Sequence, residues 1–393
     1  MKKLISILTI LGLICSQAQS ASIITRGANS AYSYGFMANK KVVSSYIGPG
    51  NVASGAKVWY GLRAYNASYA TASGKAVNLR RASDNTTCDF DVNFSGALGN
   101  SDGGCSLGGG LSLAAFATTD ATCTGTAAAS TTLTVTGCST TPHVGSTISG
   151  TGFSQPVFAT AVSVTSGSGT ITMSKAQTVT SVATTLTYGL YIATFYDQTG
   201  NGINATASGT AQPELLPNCV GTSQSLPCAY FNGSSTYMTG TFGTAPVYPV
   251  SLIGVVERPS PPTGYGIVIG FGSTSIPRIY FDNGSLAHSI EIYPGAPAGA
   301  TRNTNATDGV AHAILGTITS STITLDIDNI SVSGSTSSLT NPSTTLSMGA
   351  DPGNSNSLIG YIGEFGLWPS DQTGNSTSFC HNQYLYWATA VSC

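Results

Sequence analysis

The chain has 393 residues, of which 41% are hydrophobic and only 8% are charged, and its formal net charge is -2 at pH 7. This length allows either two average domains or one large β-domain with a sizeable core. So weak a charge gives no electrostatic reason to expect nucleic acid or an anionic membrane as a partner. The 47 glycines and the long Ser/Thr-rich tracts favour turns and strands over helices.

Residues 1–21 have the pattern of a signal peptide. Two lysines precede an apolar run from Leu4 to Ile14, and small residues suit cleavage after Ala18 or Ala21. The run is too short for a stable membrane span, and no later segment approaches about eighteen unbroken apolar residues. Cys15 leaves a lipoprotein open as an alternative, although the two residues before it are not the small ones that lipoprotein processing favours. We predict a protein that is secreted or held at the cell surface.

Cleavage would leave eight of the nine cysteines in an oxidising compartment, where disulfides form. Proximity along the chain suggests four pairs, although eight cysteines permit about 105 connectivities: Cys88 with Cys105, Cys123 with Cys138, Cys219 with Cys228, and Cys380 with Cys393. The chain has no CxxC motif and its four histidines are scattered, so we predict neither a metal site nor a cofactor. The sequence does not indicate an oligomeric state.

The predicted elements are mostly strands. Residues 58–70 are apolar enough for a short helix or a strand, and 76–85 alternate before a Ser-Asp-Asn turn. Residues 119–188 change to short Thr/Val/Ile runs broken by Gly-Ser turns, nearly without charge. We interpret them as an inserted β-module, with the alternative that they continue the main sheet.

From residue 189 onward, strand-length runs recur with Gly, Asn, Pro or Asp at the breaks, which is typical of an antiparallel sandwich. Only residues 375–388 look helical, with Ser376 or Ser378 as the N-cap. The predicted organisation is therefore a signal peptide (1–21), the first part of a β-sandwich (22–118), the insert (119–188), and the rest of the sandwich with its helix (189–393).

The segment FYDQTGNG, from Phe195 to Gly202, is predicted to be a turn that follows a buried strand. Asp197 and Asn201 can hydrogen-bond nearby backbone, and glycines 200 and 202 allow positive φ. We interpret it as an architectural element.

Three stretches of sequence resemble one family. YGLRAYNASYATASGKAVNLRRASDN, FYDQTGNGINATASGTAQPEL and CAYFNG are similar to the catalytic domain of α-L-arabinofuranosidase B and to its bacterial and phage surface-protein relatives. LDIDNISVSG, LSMGAD and GYIGEFGLWPSD resemble the closing strands of the same domain. The resemblance implies an all-β, concanavalin-A-like (LamG/jelly-roll) antiparallel sandwich with a small β-rich insertion and a short C-terminal helix.

The resemblance also implies retaining hydrolysis of terminal arabinofuranosyl residues, which needs a carboxylate nucleophile and a carboxylic acid roughly 5 Å apart. Asp351 stands where the family has its acid in a Gly-Gly-Asp-Asn loop, although Ala350 and Pro352 depart from that pattern. The family's nucleophile strand has two counterparts here. One puts Pro277 at the position of the glutamate, and the other places Glu291 one residue late, so that its direction would need a bulge.

The departures from the family keep a second function open. The adjacent cysteine pair of the family's sugar pocket is absent, and the Thr/Ser/Gly-rich insert is typical of display modules. The alternative is a non-catalytic, lectin-like or adhesive module of a cell surface or virion. Under either hypothesis the expected partner is a carbohydrate, with arabinose-containing or surface glycans as candidates.

Other residues could take part, although each has a plainer interpretation. Asp84, Asp282 and Asp371 lie beside turn residues, and the pair Asp326 and Asp328 is expected to be solvated on one strand face. Six aromatic residues could stack on sugar rings, but each by itself is more easily assigned to the sandwich core or rim: Trp59, Tyr237, Tyr265, Tyr280, Tyr293 and Trp368. A serine hydrolase elbow and a phosphate-binding loop are not supported by any motif.

Overall fold

The computed structural model describes residues 46–393 except 104, 155–156, 221–225, 259–265, 273–276, 282–288, 296–300, 305, 307–308, 337–338, 340, 352–355 and 390–392. The predicted signal peptide lies outside the described residues. Within them, no helix is long and apolar enough to cross a membrane.

Strands dominate the described part of the chain. In chain order they are β1 (Val58–Gly61), β2 (Lys75–Arg81), β3 (Thr87–Val92), β4 (Leu98–Ser101), β5 (Thr119–Thr136), β6 (Thr147–Gly150), β7 (Ala159–Thr165), β8 (Ser168–Thr187), β9 (Leu190–Phe195), β10 (Ala205–Thr206), β11 (Glu214–Val220), β12 (Leu226–Asn232), β13 (Met238–Thr241), β14 (Val250–Glu257), β15 (Gly266–Phe271), β16 (Arg278–Phe281), β17 (Ile290–Tyr293), β18 (Thr301–Asn303), β19 (Ala311–Ile318), β20 (Thr322–Ile327), β21 (Ile330–Ser335), β22 (Thr345–Met348) and β23 (Ile359–Trp368). The α-helices are α1 (Pro49–Val52), α2 (Ala67–Thr71), α3 (Leu113–Ala117) and α4 (Ser376–Trp387). The apolar segment at 58–70, for which the sequence allows either a helix or a strand, contains strand β1 and most of helix α2.

Nineteen of these strands form one antiparallel hydrogen-bonded system that folds into two layers. The first layer runs β4-β3-β2-β9-β11-β12-β23-β14-β19-β20-β21, and β1 adds a further pairing with β23. The second runs β10-β13-β22-β15-β16-β17-β18 and joins the first where β10 pairs with β9. The predicted antiparallel β-sandwich is confirmed.

The layers pack closely because small residues face large ones across the core. A Cβ added to Gly316 in β19 would lie 2.8 Å from Ile279 and 2.7 Å from Ile292 of the second layer. Gly349, which follows β22, would place a Cβ 2.0 Å from a ring carbon of Phe231 in β12. Such interdigitation of apolar side chains is what holds two sheets together.

Residues 119–187 form a separate four-stranded sheet, in which β8 pairs with β5, β6 and β7. It has its own apolar cluster, which includes Leu133, Ile148 and Leu186. This sheet contacts the outer face of the first layer, where the Phe158 ring centroid lies 5.1 Å from that of Tyr230. The division into an insert and two parts of a main domain stays a prediction.

The predicted C-terminal helix is confirmed as α4, but its predicted cap is wrong. Asn375 is the N-cap, and its side chain makes no capping bond. Ser376 is the first helical residue, and its hydroxyl donates to Asp326 at 2.7 Å. The Ser376 hydroxyl therefore makes a tertiary contact with a carboxylate of β20 instead of capping its own helix.

A buried ion pair fixes α4 against the first layer. The guanidinium of Arg63 binds Glu364 of β23 through two nitrogens, one of them at 2.8 Å, and it also donates to the side chain of Asn382 at 2.8 Å. Gln383 donates to Glu364 at 3.2 Å. Each charge therefore has hydrogen-bonded partners, which a buried pair requires.

Three of the predicted disulfides are present: Cys88–Cys105, Cys123–Cys138 and Cys380–Cys393. Cys228 is also disulfide-bonded, while the side chain of its predicted partner Cys219 lies outside the described residues. Three disulfides fit an oxidising compartment.

The FYDQTGNG segment is the turn that the sequence predicts. Asp197 is buried, and its carboxylate accepts hydrogen bonds from Trp59 N at 3.2 Å, Thr199 N at 3.0 Å and Ile203 N at 3.3 Å. Glycines 200 and 202 have φ of 87° and 72°. The turn thus joins β9 to β1 through a side chain that satisfies buried backbone groups, which is an architectural role.

Candidate functional site

Asp351 lies in the loop that follows β22. Gly349 has a φ of 84°, which turns the chain away from the sheet and suits glycine. Leu358 N donates to Gly349 O at 2.7 Å, which joins the two ends of the loop, and Ile267 N donates to Asn356 O at 3.0 Å, which ties the loop to β15. The Asp351 side chain is buried and accepts a hydrogen bond of 2.9 Å from the amide of Asn356.

Glu291 lies in β17, directly opposite Tyr280 of β16. Its carboxylate accepts a hydrogen bond from the Tyr280 hydroxyl, and the side chain is only 3% exposed. Ile279 and Ile292 point into the sandwich toward Gly316, so Tyr280 and Glu291 point to the outer face of the second layer.

The bulge that Glu291 would need to take the direction of the family's nucleophile does not occur in the β16–β17 pairing, whose register is regular from Arg278↔Tyr293 to Phe281↔Ile290. A register shift lies instead between β15 and β16, at Ile267 and Ile269. Without any bulge in its own pairing, Glu291 already shares a face with Arg278 and Tyr280.

A cavity of about 130 Å³ is lined by Tyr280 and Asn356, the residues that hydrogen-bond Glu291 and Asp351. Its lining includes Ile267, Arg278, Tyr280 and Asn356. Tyr280 donates to Glu291 and Asn356 donates to Asp351, so one lining residue binds each predicted catalytic group. The fold thereby brings the surroundings of two residues 60 positions apart in the sequence to one place.

Arg278 supplies the positive charge of this cavity. Its guanidinium lies 4.9 Å from the Tyr280 ring centroid and 5.3 Å from the Tyr293 ring centroid, within the range of cation–π contact. Its Nε is buried and has no hydrogen-bond partner among the described residues. A buried donor of this kind is costly in isolation and suits an oxygen of a bound ligand.

Sequence reasoning singled out Tyr280 and Tyr293 as candidate sugar platforms but missed Arg278 and Asn356. Arg278 follows the proline of the PRIYF segment, and no motif marks it as a site residue. Asn356 stands among loop residues without a pattern. An alternating strand shows that Arg278 shares the face of Tyr280, but the sequence does not show which loop covers that face.

The remaining candidates take structural roles. Trp59 and Trp368 are fully buried and pack against each other, with ring centroids 5.9 Å apart. Tyr237 lines a separate cavity of about 280 Å³. Tyr265 lies outside the described residues.

The expectation that Asp326 and Asp328 are solvated is wrong. Their exposed fractions are 6% and 2%. Asp328 follows the end of β20 and accepts a hydrogen bond from Ala313 N at 2.9 Å, besides its contact with His312 at 2.5 Å. Burial raises the pKa of Asp326, although Ser376 donates to it.

The turn acids behave as predicted where they are described. Asp84 accepts from Thr86 N at 3.0 Å, and Asp371 accepts from Thr373 N at 2.9 Å. Asp282 lies outside the described residues. The described residues contain no group of three or more His, Cys, Asp or Glu side chains that could hold a metal ion.

No family model and no curated protein matches this chain. Among solved structures, it is similar to a mutant GH54 α-L-arabinofuranosidase soaked with 4-nitrophenyl α-L-arabinofuranoside, with a TM-score of 0.47 and 15% identity over 83% of this chain and 62% of that chain. A second arabinofuranosidase, complexed with arabinofuranosyl-α-1,2-xylobiose, has a TM-score of 0.49 and 14% identity over 86% of this chain and 64% of that one. A Trypanosoma rangeli sialidase in complex with sialic acid has a TM-score of 0.38 and 14% identity over 49% of this chain and 31% of that one. The chain thus spans less than two thirds of the length of each.

Proposed function

We propose that this protein is a secreted glycoside hydrolase that removes terminal arabinofuranosyl residues with retention of configuration. The single observation that carries the proposal is the cavity whose lining residues Tyr280 and Asn356 bind Glu291 and Asp351. The sequence resemblance assigns the acid role to Asp351 and makes Glu291 the candidate nucleophile.

The size of the cavity supports a small substrate group. At about 130 Å³ the cavity lies below the range of roughly 300–1,000 Å³ that is typical of sites for drug-sized ligands. This is room for one furanosyl residue and not for a chain of sugars. Attack on a terminal residue needs no more than this.

In the proposed reaction, the Glu291 carboxylate attacks the anomeric carbon while Asp351 gives its proton to the leaving oxygen. This forms a glycosyl ester on Glu291 and releases the alcohol. Asp351 then takes a proton from water, which attacks the ester and frees arabinose. The hydrogen bond from Tyr280 holds the Glu291 carboxylate in one orientation, and Asn356 does the same for Asp351.

The test is release of 4-nitrophenol from 4-nitrophenyl α-L-arabinofuranoside by the purified full chain. We expect Asp351→Asn and Glu291→Gln each to lower kcat/KM by at least about 100-fold, the scale of a lost acid or nucleophile. Asp371→Asn removes an exposed turn carboxylate and serves as the matched control, with activity unchanged. Wild-type release no faster than that of Asp351→Asn would refute the proposal.

The second candidate is a glycan-binding module without hydrolysis. The cation–π contacts of Arg278 with Tyr280 and Tyr293, together with its unpartnered Nε, favour binding and require no chemistry. This function predicts that Arg278→Gln weakens binding of arabinose-containing glycans, while the aryl glycoside stays intact. Rapid hydrolysis in the first assay would argue against it.

A further inference from the structure

A second and larger cavity, of about 660 Å³, lies on the first layer. Strands β2 and β9 supply Arg80 and Tyr191, and the segments around residues 208–212 and 232–236 supply the rest of the wall. It shares no lining residue with the cavity at Arg278 and Tyr280. Its volume lies in the range of roughly 300–1,000 Å³ that is typical of small-molecule sites. It can therefore hold several sugar units.

Among the described residues, Arg80 in this cavity contacts neutral partners only. Its Nε donates to Gln212 Oε1 at 2.6 Å and its Nη1 donates to Asn85 Oδ1 at 2.9 Å, and its guanidinium lies 4.9 Å from the Tyr191 ring centroid. These contacts fix the orientation of the guanidinium without neutralising its charge.

The neighbouring cations of the first layer are paired differently. Arg81 forms an ion pair with Asp84 at 2.6 Å, and Lys75 forms one with Asp102 at 3.1 Å. Arg80 has no carboxylate within ion-pair distance among the described residues. A fixed guanidinium with an uncompensated charge, in the wall of a large cavity, suits a ligand carboxylate, which it can bind through two hydrogen bonds.

A buried carboxyl on the same face of the layer does not neutralise this charge. Glu214 of β11 is paired with Tyr191 across the strands, so it lies on the same face of the layer. Burial raises the pKa of Glu214 to about 8, which keeps it mostly protonated at pH 7. The positive charge of Arg80 therefore stands alone at neutral pH.

The rest of the wall suits a saccharide. Hydroxyl and amide side chains of Ser208, Thr210, Asn232, Ser235 and Thr236 line it. Such groups match sugar hydroxyls, which both donate and accept hydrogen bonds. A phosphate ion would use the charge and some of these donors, but it would fill only a small part of a cavity of about 660 Å³.

We propose that this cavity binds an oligosaccharide that carries a carboxylate, a uronic acid residue being the simplest case, with Arg80 holding the carboxylate. The site is independent of the proposed hydrolysis, because it contains neither Asp351 nor Glu291.

The experiment titrates the full chain with an oligogalacturonate of three units and with its methyl ester of equal length, by isothermal calorimetry at pH 7. We expect the acid to bind at least about 10-fold more tightly than the ester. Arg80→Gln should remove that preference, while Lys175→Gln, which deletes an exposed cation of the inserted sheet, should keep it. Asp351→Asn should also keep it, which separates this site from the hydrolytic one.

Equal affinity for acid and ester, or an acid preference that survives Arg80→Gln, would overturn the proposal, and so would the absence of binding. Inorganic phosphate that binds as tightly as the oligogalacturonate would refute the saccharide part. The comparison of acid with ester uses the wild-type chain, so it stays decisive even if Arg80→Gln does not fold.

Discussion

Glu214→Gln should remove a pH dependence of stability that the buried carboxyl creates. Glu214 is 7% exposed and pairs across the strands with Tyr191 on one side and Tyr230 on the other. Its Oε1 has no hydrogen-bond partner among the described residues. Burial alone raises its pKa from 4.5 to about 8, because a carboxylate there would lose its hydration without compensation.

The sign follows from the protons bound in each state. Between pH 4.5 and 8 the unfolded chain has released the proton of Glu214, while the folded chain still holds it. The free energy of unfolding therefore falls as pH rises through this window, and this contribution is flat on either side of it. A shift of about 3.5 units at roughly 1.36 kcal/mol each gives a loss on the order of 5 kcal/mol. Glutamine has nearly the same shape but does not titrate.

The measurement is urea unfolding of wild type and Glu214→Gln at pH 5, 6, 7 and 8. The stability of the variant minus that of wild type should grow with pH, by at least about 2 kcal/mol between pH 5 and 8. Every ionisable group other than Glu214 is present in both proteins, so the contributions of those groups cancel in the difference. Asp371→Asn, which removes an exposed acid, should give a nearly constant difference. Parallel pH profiles for wild type and Glu214→Gln would show that the carboxyl is not held neutral by burial.

Three further changes test the architecture by denaturant unfolding. Asp197→Ala leaves buried backbone N–H groups without their acceptor, so it should lower the free energy of unfolding by about 1–3 kcal/mol. An unchanged unfolding midpoint would contradict the role given to this turn. Arg63→Met should cost about 3–5 kcal/mol because it leaves the buried carboxyl of Glu364 without its partner, and adding Glu364→Leu should recover part of the loss. A double variant less stable than the single one would argue against this reasoning. Gly349→Ala should cost about 2–5 kcal/mol, since φ is 84° and the new methyl would meet a ring carbon at 2.0 Å. The control Gly243→Ala, with no atom within 4 Å of its Cβ, should be nearly neutral, and equal effects of the two would disprove the packing argument.

Part of the candidate site could be predicted from the sequence. The resemblance pointed to Asp351 and Glu291, and strand alternation placed Glu291 on a definite face of its strand. Their roles in catalysis stay predictions. Arg278 and Asn356 could not be found in this way, because their contribution depends on a loop after β22 lying against β15. That contact joins segments about 90 residues apart, and no local pattern records it.

The sequence by itself determined what depends on near neighbours. Alternation and turn residues gave the all-β class and the FYDQTGNG turn. Cysteines 13 to 17 residues apart gave the three described disulfides. These features follow from preferences of single residues and from short loops that close easily.

Only the tertiary structure decided burial and charge. Glu214 and Asp328 look like ordinary strand acids in the sequence, yet both are buried. The ion pair of Arg63 with Glu364 spans 301 positions. The physical reason is that solvation and Coulomb energy depend on which strands and loops become neighbours, and that is settled by pairing across the whole chain.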